Sequence, residues 1–288
     1  MKRFGISTHL YHGERLQRAH LREIASYGFE SVEVFATRTH FNYHDEQSIL
    51  ALGEWLRESQ LELPSVHAPI VDSLDSDTWG RSYSTATRDE NARSATMHEM
   101  RAALGIARQI PFKFLVLHLG VPTVQRPGSD DNHRDAVLRS IDEIHRLAEP
   151  LGVRLALEVM DNGLSTAPAL VEMLERDLDG MNVGICMDVG HAHLLGDTAE
   201  AIETASEYLV TTHIHDNRRQ HDDHLVPFEG SINWAATIME LDKIGYDGVL
   251  MYEVRNVESP QAVLARAVDA RRRLECLMTD NSQLIAEN

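Results

Sequence analysis

Lysine is nearly missing from this sequence and occurs only at Lys2, Lys113 and Lys243. None of the three falls where an apolar strand pattern ends, so Schiff-base chemistry, which needs a desolvated amine in the site, is not expected. Cysteine is as scarce. Cys186 lies inside an apolar run and Cys276 near the last helical stretch, which argues against a disulfide framework and for a reducing compartment. Positive charge is outweighed, leaving a formal net charge of −18. Long-range attraction to nucleic acid or to an anionic membrane is therefore disfavoured. No run approaches the ~20 apolar residues of a membrane span, and the opening Met-Lys-Arg-Phe-Gly-Ile-Ser has no long apolar segment, so a cytoplasmic location is expected. The Gly-x-Ser-x-Gly elbow, the Walker loop and the Gly-x-Gly-x-x-Gly turn are all absent.

What is present is enough apolar material for a large core: 288 residues, 43% hydrophobic and 25% charged. Short β-type runs alternate with helical patterns. The strands fall at Phe4–Thr8, Ser31–Phe35, Leu63–His67, Phe114–His118, Arg154–Glu158, Val183–Asp188, Leu209–His213 and Val249–Glu253. The helices fall at Glu14–Tyr27, Glu46–Gln60, Asp89–Gln109, Asp131–Leu151, Ala167–Leu178, Thr198–Tyr208, Trp234–Ile244 and Ser259–Leu277. Eight strand–helix units predict an α/β fold, a closed parallel (β/α)8 barrel forming one domain over residues 1–288. Gly28, Gly152 and Gly245 sit where helices end, Pro168 and Pro260 where a first turn tolerates proline. Thr87-Arg88-Asp89-Glu90 fits a capping box.

The strands end on a chemical theme. From the third to the eighth they finish on His67, His118, Glu158, Asp188, His213 and Glu253. Side chains two apart share a strand face, so Cys186 and Gly184 accompany Asp188, Ala156 accompanies Glu158 and Ser65 accompanies His67. The opposite faces carry Ile185 and Met187, Leu155 and Leu157, and Leu115 and Leu117. Small residues toward a crowded axis and large ones toward helices would place the acids and histidines inward, at the rim where barrel sites lie. Carboxylates crowded there would repel each other and lose solvation, and a divalent cation removes both costs. Carboxylate and imidazole ligands without thiolate suit Mn²⁺ or Zn²⁺ foremost, with Mg²⁺, Co²⁺ and Fe²⁺ also admitted.

Two segments are too elaborate for simple connections and are expected to build or cover the site: Pro69–Ala86 and His215–Gly230. The second, with His191 after Asp188, adds Asp222 and His224 as further ligands or as groups that orient ligands. His193 and His215 are left outside this set. His9, His12, His40 and His44 lie on early loops at the same rim and are candidates to line a pocket, though most read as surface histidines.

These motifs are recognisable together. Ser-Val-His67-Ala-Pro, Leu-His118-Leu-Gly, Leu-Glu158-Val, Met-Asp188-Val-Gly-His191, His213-Ile-His-Asp-Asn, Asp222-Asp-His224, Phe-Glu-Gly-Ser-Ile-Asn-Trp and Tyr-Glu253-Val resemble the xylose isomerase-like TIM-barrel superfamily. It includes sugar and sugar-phosphate isomerases and epimerases and the endonuclease IV type of nuclease. Resemblance to the epimerases implies that Glu158, Asp188, His213 and Glu253 hold one metal, with Glu158 and Glu253 as the acid/base pair. Resemblance to endonuclease IV implies three metals: one on His67, His118 and Glu158, one on Glu158, Asp188, His213 and Glu253, one on His191, Asp222 and His224.

The segment after His67 and the loop after His213 are closer to the sugar enzymes, and no basic, aromatic-interleaved stretch follows a phosphate backbone. The expected activity is metal-dependent isomerisation or epimerisation of a sugar, sugar phosphate or polyol by proton transfer next to a carbonyl. His67, His118, His191, Arg218 and Arg255 would contact the substrate. Arg218 and Arg219, with backbone N–H groups near Gly230, would suit a phosphate. A metal-dependent dehydratase of a polyol or keto-acid and a trinuclear zinc phosphodiesterase are the alternatives, ahead of a non-enzymatic metal-binding role. Neither nucleic acid nor membrane is an expected partner. Self-association is common in such barrels, but no surface declares itself.

Overall fold

The computed structural model describes residues 3–75 and 78–286, the side chains of residues 74, 75, 78, 79 and 280–286 excepted. Lys2, and Ser76 and Asp77 of the first long loop, lie outside the described residues. Eight parallel strands run around the barrel in chain order: β1 (Arg3–Ser7), β2 (Ser31–Phe35), β3 (Glu62–His67), β4 (Phe114–Leu117), β5 (Arg154–Glu158), β6 (Val183–Asp188), β7 (Leu209–Ile214) and β8 (Val249–Tyr252). β1 pairs with both β2 and β8, so the sheet closes and has no free edge. Outside lie α1 (Arg18–Ser26), α2 (Glu46–Ser59), α3 (Glu90–Leu104), α4 (Arg134–Ala148), α5 (Ala167–Arg176), α6 (Val189–Leu195), α7 (Thr198–Ala205), α8 (Trp234–Lys243) and α9 (Pro260–Ala286). No helix among the described residues is long and apolar enough to cross a membrane.

Strand parity sorts the core into two bodies. Leu115, Leu117, Leu155, Leu157, Ile185 and Met187 join the large cluster between sheet and helices. Phe114, Val116, Ala156 and Cys186 form a separate cluster inside the barrel. The interior is thus not uniformly small: Phe114 and Val116 on β4 pack with Ala156 and Cys186, and Val210 takes the space that Gly184 leaves open. Helix ends follow local chemistry. Gly28, Gly152 and Gly245 adopt φ of +77°, +70° and +71°, the left-handed conformation that ends a helix at little cost without a Cβ.

Three expectations need correction. The stretch after Asp188, which falls between the expected helices, is itself a helix: Asp188 caps α6 by accepting the His191 N–H at 2.7 Å. The capping box at Thr87 is not formed. Asp89 is the N-cap of α3 and accepts from Ala92 N, while Thr87 accepts from Asp89 N one turn earlier. His40 is not a surface residue. It is fully buried, and Nδ1 donates to the Glu14 carbonyl at 2.6 Å.

Burial makes His40 a pH-dependent element of stability. Its pKa is pushed down to about 4 by burial, with the charges of His12, His20 and Arg15 adding to this against the Glu14 carbonyl. The unfolded chain therefore binds a proton below about pH 6.5 that the folded chain refuses. The neutral buried state costs nothing above that pH. The loss of stability grows as pH falls and reaches about 3 kcal/mol near pH 4. In urea titrations, His40→Gln should remove most of that pH 7 to pH 4 difference. An unchanged difference would show that His40 does not carry it.

Candidate metal centre

The acidic and imidazole side chains at the strand ends converge at one barrel mouth. Asp188 and His213 are paired in register on β6 and β7, and Glu158 stands beside Cys186 across β5 and β6. Glu158, Asp188 and His213 are fully buried, and Glu253 is 3% exposed. Nδ1 of His213 lies 3.4 Å from Glu158, 3.6 Å from Glu253 and 3.8 Å from Asp188. Three carboxylates thus close on one nitrogen. Both oxygens of Glu158 and Nδ1 of His213 are buried without a hydrogen-bond partner. Buried ionisable atoms left so are costly unless something else satisfies them. Four oxygen and nitrogen donors within 4.8 Å of one another fit a divalent ion.

Two further groups flank this one. His67 and His118 approach the other oxygen of Glu158 at 3.3 and 3.1 Å, making His67, His118 and Glu158 a second set of converging donors. On the far side His191, Asp222 and His224 form a third, which His215 joins. Asp222 Oδ2 lies 3.1 Å from His191 Nε2 and 3.0 Å from His224 Nε2. The nine residues picked out at the strand ends and loops are therefore all brought together, with Glu158 shared between two groups. His44, His98 and Glu99 make a fourth cluster elsewhere, where α3 meets the turn before α2. There Glu99 already accepts from Tyr43 and His44.

The imidazoles are held by their second nitrogens. Nδ1 of His67 donates to the Ala68 carbonyl, Nδ1 of His191 to Val159 and Nδ1 of His224 to Glu253. Each bond leaves Nε2 turned toward a carboxylate, with ring and tautomer set by the backbone. The electrostatics are those of a crowded anionic pocket. Burial pushes Glu158 up, but the charges of His118 and His213 outweigh it and hold the carboxyl well below its usual range. Burial pushes His67 down, yet Glu158, Glu253 and Glu33 raise it to about 8. For His224, Asp222 leads the groups that raise it against burial to about 10. Protons on these rings occupy the places a cation would take, so ion binding must release protons.

Two buried residues belong here that the strand-end pattern did not single out. His215 is fully buried, with Nε2 3.0 Å from Asp188 Oδ1 and its ring stacked 4.1 Å from that of His224. A Cβ at Gly190 would meet the His215 ring at 2.0 Å, so the glycine of Val-Gly-His191 makes room for it. Glu33, in the middle of β2, reaches across the barrel to His213. Its signal was legible: in Ser31-Val-Glu-Val-Phe, a lone acid alternates with apolar residues on a buried strand.

The loop after β7 is built on Asp216. This buried carboxylate accepts from Asn217 N at 2.9 Å, Phe228 N at 2.9 Å, Ile232 N at 3.1 Å and Trp234 Nε1 at 2.8 Å. A Cβ at Gly230 would strike its Oδ1 at 2.2 Å, which explains the glycine in Phe-Glu-Gly-Ser-Ile-Asn-Trp. The phosphate site expected there is not formed, because the chain's own carboxylate takes those N–H groups. Arg218 turns away and donates to the Glu229 carbonyl. Its neighbour Arg219, with Arg255, lines the mouth instead.

Above the acids opens a cavity of about 600 Å³. His67, His118, His191 and Glu253 form part of its lining, with Glu158 beneath the three histidines. Phe35, Ile70, Val71, Tyr83, Val121 and Met160 supply an apolar wall. Both long loops contribute to the lining, and so do His9 and His12, which are pocket residues and not surface ones. His193 stays outside the ligand groups, bonded to Ser231.

The closed barrel and the acids and histidines at its C-terminal rim define a barrel protein whose mouth gathers carboxylate and imidazole groups that could hold a metal ion. A family profile described as xylose isomerase-like TIM barrel matches residues 21–277, and the chain belongs to that family. An uncharacterized protein of Methanocaldococcus jannaschii is 29% identical over 88% of this chain and 84% of that protein. A solved structure described as a D-tagatose 3-epimerase-like protein is 28% identical with a TM-score of 0.79, covering 99% of this chain and 100% of the other. A structure described as the IOLI protein with a binding zinc atom has the same fold at 20% identity and a TM-score of 0.73, covering 95% and 98%.

Proposed function

We propose that this protein is a metal-dependent isomerase or epimerase of a sugar or polyol, with Glu158 and Glu253 as the acid/base pair. The observation that carries this is the convergence of two buried carboxylates on one imidazole nitrogen, beneath a cavity sized for a small molecule. The likeness to a D-tagatose 3-epimerase-like protein supports the substrate class, and the zinc in a structural neighbour supports a divalent ion. Glu158, Asp188, His213 and Glu253 would hold the ion, Mn²⁺ or Zn²⁺ by donor chemistry. When bound it would polarise the substrate carbonyl and offset the negative charge that develops on deprotonation. One glutamate removes the proton from the carbon next to the carbonyl. The other returns a proton to the neighbouring carbon for isomerisation, or to the opposite face for epimerisation. His67, His118 and His191 present ring edges to the substrate hydroxyls, Arg255 and Arg219 stand at the outer end, and the apolar wall excludes water.

The test is carbon-bound hydrogen exchange. Metal-loaded protein incubated in D2O with a panel of ketoses, their phosphates and keto-polyols should place deuterium next to the carbonyl and interconvert isomers of equal mass. Loss of one water would instead identify a dehydratase.

A second reading rests on the three donor groups that share Glu158. Nine ligands including four carboxylates would leave three divalent ions about +2, suited to a phosphodiester, whereas one ion leaves the site negative and suited to a neutral polyol. Three tightly bound ions together with cleavage of abasic DNA would replace the isomerase reading.

A further inference from the structure

Glu33 is fully buried and belongs to none of the three donor groups. Register places it beside Ser7 on β1 and Ser65 on β3, and its parity with Ser31 and Phe35 turns it into the barrel. Ser65 Oγ donates to Oε2 at 2.7 Å. Across the barrel, Nε2 of His213 lies 3.1 Å from each Glu33 oxygen, with the hydrogen bond on Oε2. The two strands are three places apart in the closed sheet, so the contact spans the interior.

His213 thereby differs from His67, His191 and His224. His67, His191 and His224 each donate their second N–H to a neutral backbone carbonyl. His213 donates to a carboxylate. A charge-assisted bond of this kind is stronger and makes the ring's other nitrogen a better electron-pair donor. It also carries a cost, because a carboxylate in a closed interior needs compensation. Ser65 and His213 supply part of it, and a dication held beyond the ring would supply the rest.

We propose that Glu33 is a positioning residue of the metal centre. It accepts the Nε2 proton of His213 and so holds the tautomer whose Nδ1 lone pair faces Glu158, Asp188 and Glu253. This rests on the reading that those three carboxylates and His213 hold a divalent ion. It does not depend on which reaction follows. Glu33 touches neither substrate nor ion and acts through the ring.

The experiment measures Zn²⁺ affinity of the full chain by competition with a chromophoric chelator, without substrate. Glu33→Ala should weaken binding about 10- to 100-fold. Glu33→Gln keeps the shape and one acceptor oxygen but loses the charge, and should fall between Glu33→Ala and the unaltered protein. Should Glu33→Ala fail to fold, the isosteric Glu33→Gln carries the test. Thermal unfolding of the metal-free proteins runs alongside. A purely structural role would lower Tm and leave Zn²⁺ affinity unchanged, which overturns the proposal. If the unaltered protein binds no ion, the ligand assignment itself fails. If it binds and both variants bind equally well, only the role of Glu33 fails.

Discussion

Glu158→Gln should lower turnover by at least about 10³-fold while the barrel stays folded. Four imidazoles surround Glu158, with nitrogens of His67, His118, His191 and His213 within 3.1 to 3.5 Å of its oxygens. It belongs to two of the three donor groups, and both its oxygens lack hydrogen-bond partners. An amide of the same shape brings an N–H where a lone pair is needed and cannot take a proton from carbon. Proton transfer and ion binding are therefore lost by one substitution. Deuterium exchange from D2O and chelator competition read the two losses separately. The amide keeps the side-chain volume and opens no cavity, but it removes the charge that His118 and His213 face, so the metal-free variant should melt lower than the unaltered protein while remaining folded. Near-normal exchange in this variant, with the ion bound, would refute the acid/base role.

Asp216→Ala should unfold the rim. The Asp216 carboxylate gathers three backbone N–H groups and the Trp234 indole in a fully buried position. The main chain at Asp216 also exchanges two hydrogen bonds with Leu225, one residue beyond His224. Removing the acceptor strands several buried donors and leaves the loop that carries Asp222 and His224 without its anchor. The expected loss is on the order of 4 kcal/mol, or roughly 7 °C in Tm for a domain of this size. Asp216→Asn, which keeps one acceptor oxygen, should lose less. Calorimetry decides it: an Asp216→Ala melting temperature within a degree or two of the unaltered protein would mean that the hub is dispensable.

The barrel was legible because its information is local. Each strand is a short apolar run with period-2 parity, and helices carry start or stop signals at residues such as Gly28, Pro168, Gly152 and Gly245. The ligand groups were legible for a related reason. Parallel strands in a closed barrel all end at one rim, so residues at equivalent strand ends must meet wherever they stand in the chain.

Only the tertiary structure could decide what crosses the barrel or depends on packing. Glu33 lies mid-strand and finds His213 180 positions away, a pairing set by register and closure and not by any motif. His215 and His40 look like loop histidines in the sequence, but Asp188 holds one at the centre and the Glu14 carbonyl holds the other in the core. The helix start near Gly230 has the sequence of an anion site, and its N–H groups were already taken by Asp216. Sequence alone determined the barrel and most of the donors at its mouth, since strand period and strand end are properties of consecutive residues, whereas His215 was placed among them only by the fold. Which donors orient the others, and which backbone groups remain free for a ligand, required the three-dimensional neighbours, because a hydrogen bond depends on distance in space and not along the chain.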